Sequence, residues 1–505
     1  MLIIAGLITR LLGFVNRIVV ARLMGEEGVG LYMMAMPSLF LIITLTQIGL
    51  PIAISKRVAE ANAQNDKHKI KQIITLSLLI IACTSIFFTV LMVLLAPFNS
   101  SYLLTDSRTL YPLLAISPVV PIIAISSVIK GYFQGMQNMK PQSIAIVIEQ
   151  TVRIVAVFFL VSLLLPYGVE FAAMGAMISV IFGELASLAY LIFTFKRKKT
   201  VRVRHQFFAY LKGSAPVRKQ LFSIALPNTG SRIISSFANF LEPILVSQSL
   251  AFAGVQTKDA TGQYGELTGY AMPLLYLPTF ITNSLSIALV PSISEAEAMG
   301  DKRLVHYRIH QAIRISFASG ALATIVFILF SVPILTYMYG TSNASKYIIL
   351  MAPFFLLLYI QSPLQSALFA LDLAKYAMWN SLIGSIVKFA VLILLASNPH
   401  FGIMGVAIAI SASVVLITFL HLATLRKTIM FSIPRMDVFK MLALVLITYF
   451  FGFLLKSFFF TGGIGALLLI LIVLSIVYII LLFALRFITE EELKQLPYIG
   501  KFFKK

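Results

Sequence analysis

Runs of about twenty apolar residues, cut by short polar breaks, recur along the whole chain, and each is long enough to cross a hydrocarbon core roughly 30 Å thick. Where such a run meets lipid it must satisfy its own backbone hydrogen bonds, which selects helices. Spans are read near 1 to 20, 29 to 54, 72 to 96, 109 to 129, 144 to 165 and 172 to 195. A second series follows at 221 to 254, 266 to 293, 309 to 335, 347 to 371, 379 to 396 and 403 to 424, with two more at 439 to 457 and 465 to 486. The expected fold class is all-α and integral to the membrane, with about fourteen transmembrane helices. Only 12% of residues are charged, against about 25% in soluble proteins, so a soluble enzyme is excluded. Cys83 is the single cysteine, which excludes an internal disulfide or a thiolate metal cage.

Lys and Arg number 40 against 19 acids, a formal charge of +21. In a membrane protein such an excess belongs in cytoplasmic loops and does not indicate nucleic-acid binding. With the amino terminus inside, the outer loops carry only Arg22, Arg108, Lys258 and Lys346, so both termini are expected in the cytoplasm. The stretch 196 to 220 is basic and acid-free, and reads as a cytoplasmic linker attracted to anionic lipid. It separates an N-terminal six-helix lobe, 1 to 195, from a C-terminal one, 221 to 424; two extra helices occupy 425 to 486 and a cytoplasmic tail 487 to 505.

The two lobes repeat each other. Leu31 and Ala35-Met36-Pro37 recur as Leu267 and Ala271-Met272-Pro273, and Thr9-Arg10 recurs as Ser231-Arg232. Pro118 matches Pro353, Lys140 matches Lys375, Val152-Arg153 matches Val387-Lys388, and Met174-Gly175 matches Met404-Gly405. A shift of six helices preserves orientation, so the lobes are expected as parallel repeats around a central cavity, the arrangement of an alternating-access transporter. Prolines at matched positions, Pro37 with Pro273 and Pro118 with Pro353, suggest hinges at matched places.

Seven cations fall inside spans: Arg10, Arg17, Arg153, Arg232, Arg314, Lys388 and Lys456. A central charge costs about 2.5 to 3.5 kcal/mol on insertion scales, so such residues are expected to face water, a ligand or each other. Arg10 and Arg17 return to one helix face, with Asn16 beside them, and Arg232 occupies in the second lobe the place of Arg10. These residues are the candidate lining of an electropositive cavity suited to phosphate or pyrophosphate; the alternative is that they pair with acids to hold the lobes together. Glu149 stands four residues before Arg153, the spacing of a structural ion pair. Glu184 and Glu242 are then the candidates for an ion-coupling carboxylate. Arg314 and Lys456, near span ends, are expected to snorkel.

There is no phosphate-cradling glycine loop and no His-Glu-x-x-His, so neither ATP as fuel nor a catalytic metal is expected. His306 and His310 have helical spacing but lie among basic residues, and no metal is expected there. No cofactor is expected; an ion gradient or the membrane potential would supply the energy.

The runs Ala5-Gly6-Leu7-Ile8-Thr9-Arg10-Leu11-Leu12-Gly13-Phe14, Gly25-Glu26-Glu27-Gly28, Leu50-Pro51 and Gly131-Tyr132-Phe133-Gln134-Gly135, with Glu149-Gln150 and Arg153, resemble the polysaccharide-transport branch of the multidrug/oligosaccharidyl-lipid/polysaccharide exporter superfamily. The resemblance covers the whole chain. It implies a bacterial cell-membrane protein that exports a lipid-linked peptidoglycan precursor for the spore cortex, with cortex glycan synthases as partners. Similarity to the related lipid II flippases implies pyrophosphate-binding arginines on the first helix and around the eighth. Arg10 matches; the second position of the first helix falls on Asn16, with Arg17 one residue late. The resemblance also implies a start upstream of Met1, in keeping with the short first span. A drug or cation antiporter, and a non-transporting polymerase or scaffold, stand as the alternatives.

Overall fold

The structure is a computed structural model that describes residues 2–197, 215–459, 462–485 and 487. The described residues are helical wherever they are regular, and contain no strand. Most of the linker expected at 196 to 220, and of the tail from 487 onward, lies outside them.

The helices are α1 (Leu2–Gln47), α2 (Leu50–Ala63), α3 (Lys67–Phe98), α4 (Leu110–Ile116), α5 (Val119–Gly135), α6 (Lys140–Leu164) and α7 (Val169–Arg197). After the linker come α8 (Ala215–Phe252), α9 (Thr257–Gly265), α10 (Met272–Tyr276), α11 (Thr279–Ala298), α12 (Lys302–Tyr339) and α13 (Ser345–Ala370). The series closes with α14 (Ala374–Ala396), α15 (Ile403–Ile429), α16 (Arg435–Phe459) and α17 (Ile464–Ala484).

Eleven helices among the described residues are long and apolar enough to cross a membrane, or twelve if one bent pair is a single span. The expectation of about fourteen differs for identifiable reasons. Ile8–Ala63, 56 residues, counts once although it joins α1 to α2 across the left-handed residues Ile48 and Gly49 and is longer than one span needs. It breaks at Gly25, whose φ of 67° is left-handed and suits a residue without Cβ. The bent pair is Thr257–Tyr276 with Thr279–Ala298, turned by 51° on either side of Pro278. The prolines do not mark matched breaks: α4 gives way to α5 at Pro118, whereas α13 runs unbroken through Pro353.

Contacts divide the chain into two compact units, 1 to 269 and 270 to 505. The division differs from the linker because α8 packs on α1 and α2 in the first unit. Leu221 and Ala225 of α8 are buried in one core with Leu50, Ile54, Ile73, Val128 and Phe133.

In the second unit α11, α12 and α13 surround Ile293, Ile309 and Leu364, joined by Leu444 of α16 and Tyr478 of α17. The contact of α16 with α12 answers a backbone need. Pro333 has no N–H to donate to the Leu329 carbonyl one turn earlier, and Phe330 leaves helical geometry at φ −122°. Lys456 of α16 donates its ammonium to that carbonyl at 2.7 Å. The snorkelling expected for Lys456 is thus corrected: a carbonyl freed by proline offers it a partner.

Candidate functional site

Along α8, Thr229, Arg232, Ser236 and Asn239 recur every three or four residues and share one helix face. On α1, Phe40, Thr44 and Gln47 do the same. In the first unit these faces enclose a cavity of about 500 Å³, which Gly49, Ile43 and Ser235 also line. That volume is within the range of small-molecule sites. The hydroxyls of Thr44 and Ser236 meet across it at 2.8 Å. Gly49 lies tight against α8, where a Cβ would lie 2.6 Å from the Ala225 carbonyl and 2.7 Å from the Thr229 hydroxyl.

Arg232 is the one charged residue in this lining, and its side chain is exposed. The surrounding hydroxyls and amides both donate and accept, so the chamber offers one fixed positive charge amid neutral hydrogen-bonding groups. This suits a phosphorylated, hydroxyl-rich ligand.

The other predicted residues are distributed differently. Arg10 and Arg17 are exposed, on one face of α1, and are not part of the cavity lining. Asn16 is buried, and its side-chain oxygen has no hydrogen-bond partner. Glu242 is half-buried on α8, within electrostatic reach of buried Tyr264.

The expected ion pair of Glu149 with Arg153 is replaced by another arrangement. Arg153 donates to the Tyr32 hydroxyl of α1 at 2.7 Å, and the ion pairs among the described residues do not include it with Glu149. The carboxyl of Glu149 takes a hydrogen bond of 3.4 Å from Gln150 and lies within electrostatic reach of Glu184, Lys130 and Arg153. Glu184 is 8% exposed, and one of its oxygens has no hydrogen-bond partner. Here α7 packs closely on α6: a Cβ on Gly183 would lie 2.9 Å from the Glu149 carbonyl and 3.1 Å from the Arg153 Cβ. Arg153 thus takes its partner from α1, and the carboxyls of Glu149 and Glu184 lie within electrostatic reach of each other.

In the second unit His306 bonds the Ile429 carbonyl at 2.9 Å, and His310 packs its ring on Phe431 with centroids 4.6 Å apart. Both imidazoles have structural partners. The polar cavity lining beyond Arg232 escaped the reading of single charges; the three- and four-residue spacing of Thr229, Ser236 and Asn239 was the available signal.

The sequence pattern of the family described as polysaccharide biosynthesis protein matches residues 1–297. The chain belongs to that family. It is 51% identical over 502 residues, covering 99% of this chain and 97% of the other, to stage V sporulation protein B of Bacillus subtilis (strain 168). Among solved structures it resembles the lipid II flippase MurJ in an inward closed conformation, with a TM-score of 0.70 at 16% identity over 94% of this chain and 97% of that one. It also resembles an inward-facing multidrug resistance MATE transporter of the MOP superfamily, with a TM-score of 0.69 at 18% identity over 84% and 94%. These likenesses carry the fold. With its apolar helices they make the chain a multi-pass membrane protein, and these structural neighbours are a flippase and a transporter, not enzymes.

Proposed function

We propose that the protein is a flippase that moves an undecaprenyl-pyrophosphate-linked peptidoglycan precursor outward across the cytoplasmic membrane, for spore-cortex synthesis. The observation that carries this reading is the cavity between α1 and α8, with Arg232 among the hydroxyls and amides of Thr44, Thr229, Ser235, Ser236 and Asn239. The guanidinium would take the pyrophosphate in charge-assisted hydrogen bonds, and the neutral groups would take the sugar hydroxyls. The 51% identity to a stage V sporulation protein supports the cortex role.

Both termini would lie in the cytoplasm, and the precursor would pass to glycan synthases on the outer side. Glu184, buried in the first unit within electrostatic reach of Glu149, is favoured over Glu242 as the carboxylate that couples movement to a cation, since one of its buried oxygens has no hydrogen-bond partner. A drug antiporter for organic cations is disfavoured, because no acid is among the residues lining the cavity.

The test is translocation of a fluorescent polyprenyl-pyrophosphate glycan in liposomes under proton or sodium gradients, comparing the wild-type chain with Arg232→Ala and Arg10→Ala. Loss of a charged hydrogen bond, about 1.5 to 3 kcal/mol, should weaken binding roughly ten- to a hundredfold for Arg232→Ala. Folded wild-type protein that moves no probe under either gradient overturns the reading.

A further inference from the structure

In the second unit α11 and α13 share a polar patch that none of the roles above uses. Asn283 and Ser286, three residues apart on α11, fall on one helix face. Ser362 of α13 donates to the Asn283 side-chain oxygen at 2.9 Å and stands 2.9 Å from the Ser286 hydroxyl. Ser286 is buried, whereas Asn283 is exposed. Further along α11, Ser294 donates to the Ala370 carbonyl at the end of α13 at 3.2 Å. Asn283 and Ser362 stand eleven and eight residues back from that level, about 12 to 16 Å along the helices, within the depth of a hydrocarbon core about 30 Å thick. An amide that met lipid there would lack hydrogen-bond partners, which is costly, so this face belongs to water or a ligand.

The hydrogens of the patch do not balance within it. Ser286 donates to the Thr282 carbonyl of its own helix at 2.7 Å. The single hydrogen of Ser362 is then shared between the Ser286 hydroxyl and the Asn283 side-chain oxygen, so one of these two oxygens keeps an open lone pair. The Asn283 NH2 group has two hydrogens and no acceptor among the described residues. Beside Ser362, Gln361 and Gln365 fall within the same 100° arc of α13, and the Gln361 side-chain oxygen is buried without a partner. There is no Lys or Arg on α11 and no acid on α13; the acids of α11, Glu295 and Glu297, lie about three turns away. The patch is neutral, and it both donates and accepts.

It is also held in place. Tyr359, three residues before Ser362 on α13, donates its hydroxyl at 2.8 Å to the Leu275 carbonyl, at the bend where α10 meets α11 around Pro278. The Tyr359 ring lies against α12, where a Cβ on Gly320 would come within 2.0 Å of it. One stretch of α13 thus fixes the bend and presents Ser362, which keeps the polar groups in register. In the register that matches Pro37 with Pro273, Asn283 takes the place of Gln47, a residue that lines the first-unit cavity.

We propose that this patch is a second saccharide site, in which the Asn283 amide donates to a hydroxyl or acetamido oxygen of a sugar and the open lone pair accepts a sugar hydroxyl. The sugar belongs to the glycan beyond the pyrophosphate, an assignment that rests on the flippase reading. Binding of two fluorescent probes to the purified protein separates the two: polyprenyl pyrophosphate bearing a disaccharide, and polyprenyl pyrophosphate without sugar. The wild-type chain should hold the disaccharide probe more tightly. Asn283→Ala should weaken that probe by about three- to tenfold, the range of one neutral hydrogen bond, and leave the sugar-free probe unchanged. Ser362→Ala, which takes the donor from Asn283, should act in the same direction with a smaller effect, and Arg232→Ala should weaken both probes. Equal binding of the two probes by the wild type, or an Asn283→Ala variant that binds like the wild type, overturns the site. So does a loss shared by both probes and accompanied by a lower melting temperature, which returns the patch to holding α11 against α13. If the Asn283-dependent preference for sugar holds while the wild type moves neither probe in liposomes, the site stands and the flippase reading fails.

Discussion

The crossing of α6 with α7 in the first unit and that of α14 with α15 in the second are one arrangement with two chemistries. At matched positions a glycine meets matched backbone: a Cβ on Gly175 would lie 3.0 Å from the Leu160 carbonyl oxygen, and one on Gly405 would lie 2.7 Å from the Leu395 carbonyl carbon. Further along the two diverge. In the first unit Gly183 of α7 faces Glu149 of α6. In the second the glycine has changed helices: Gly384 takes the place of Glu149 and Ser413 that of Gly183, and the Ser413 hydroxyl donates to the Gly384 carbonyl at 3.1 Å.

Glu184 has Val414 as its counterpart. The second crossing keeps its buried polarity in neutral groups, with His421 at 0% exposure and paired to Asn380 at 3.0 Å. Close helix packing thus needs one small residue, on either helix, and does not need charge. The acids of the first crossing are surplus to packing, which is the argument for assigning them to coupling.

The largest effect that would break this contrast is expected from Glu184→Gln. Gradient-driven movement of the lipid probe should fall by about two orders of magnitude, while thermal unfolding in detergent stays close to wild type. Equal losses of transport and stability would return Glu184 to a packing role.

Next in size is Gly384→Ala. Its Cβ would lie 2.2 Å from Ile417, and overpacking of this kind costs about 1 to 3 kcal/mol. Adding Ser413→Gly, which puts the glycine where the first unit has it, should recover part of that loss with a coupling of about 1 kcal/mol or less, read by a double-mutant cycle of unfolding free energies.

Lys456→Met should cost about 1 to 3 kcal/mol, because the Leu329 carbonyl loses its donor, and the fall in melting temperature should shrink when Pro333→Ala restores the backbone N–H. The smallest effect is expected at His421→Leu. It removes a buried ring nitrogen that has no partner and leaves the Asn380 amide bonded to Thr424 at 3.1 Å, so stability should change by about 1 kcal/mol or less.

Much of the fold was legible in the sequence. Apolar runs gave the spans, and the matched Met-Gly pairs pointed to Gly175 and Gly405, both of which stand in close helix contacts. Of the site, Arg232 was legible because a charge in an apolar run stands out. The hydroxyls of Thr44 and Ser236 were not, since a hydroxyl can hydrogen-bond within its own helix and so disturbs hydropathy little.

The sequence by itself determined that the chain is helical and spans a membrane many times, because hydropathy and helical period accumulate residue by residue along one segment. Only the tertiary structure decided partners. Arg153 bonds Tyr32 instead of the glutamate one turn away on its own helix. Arg108, an outer-loop cation in the sequence, joins Asp106 and Glu27, and Lys456 serves the carbonyl that Pro333 leaves free. Each of these choices depends on which helix faces meet, and spacing within one helix does not carry that information.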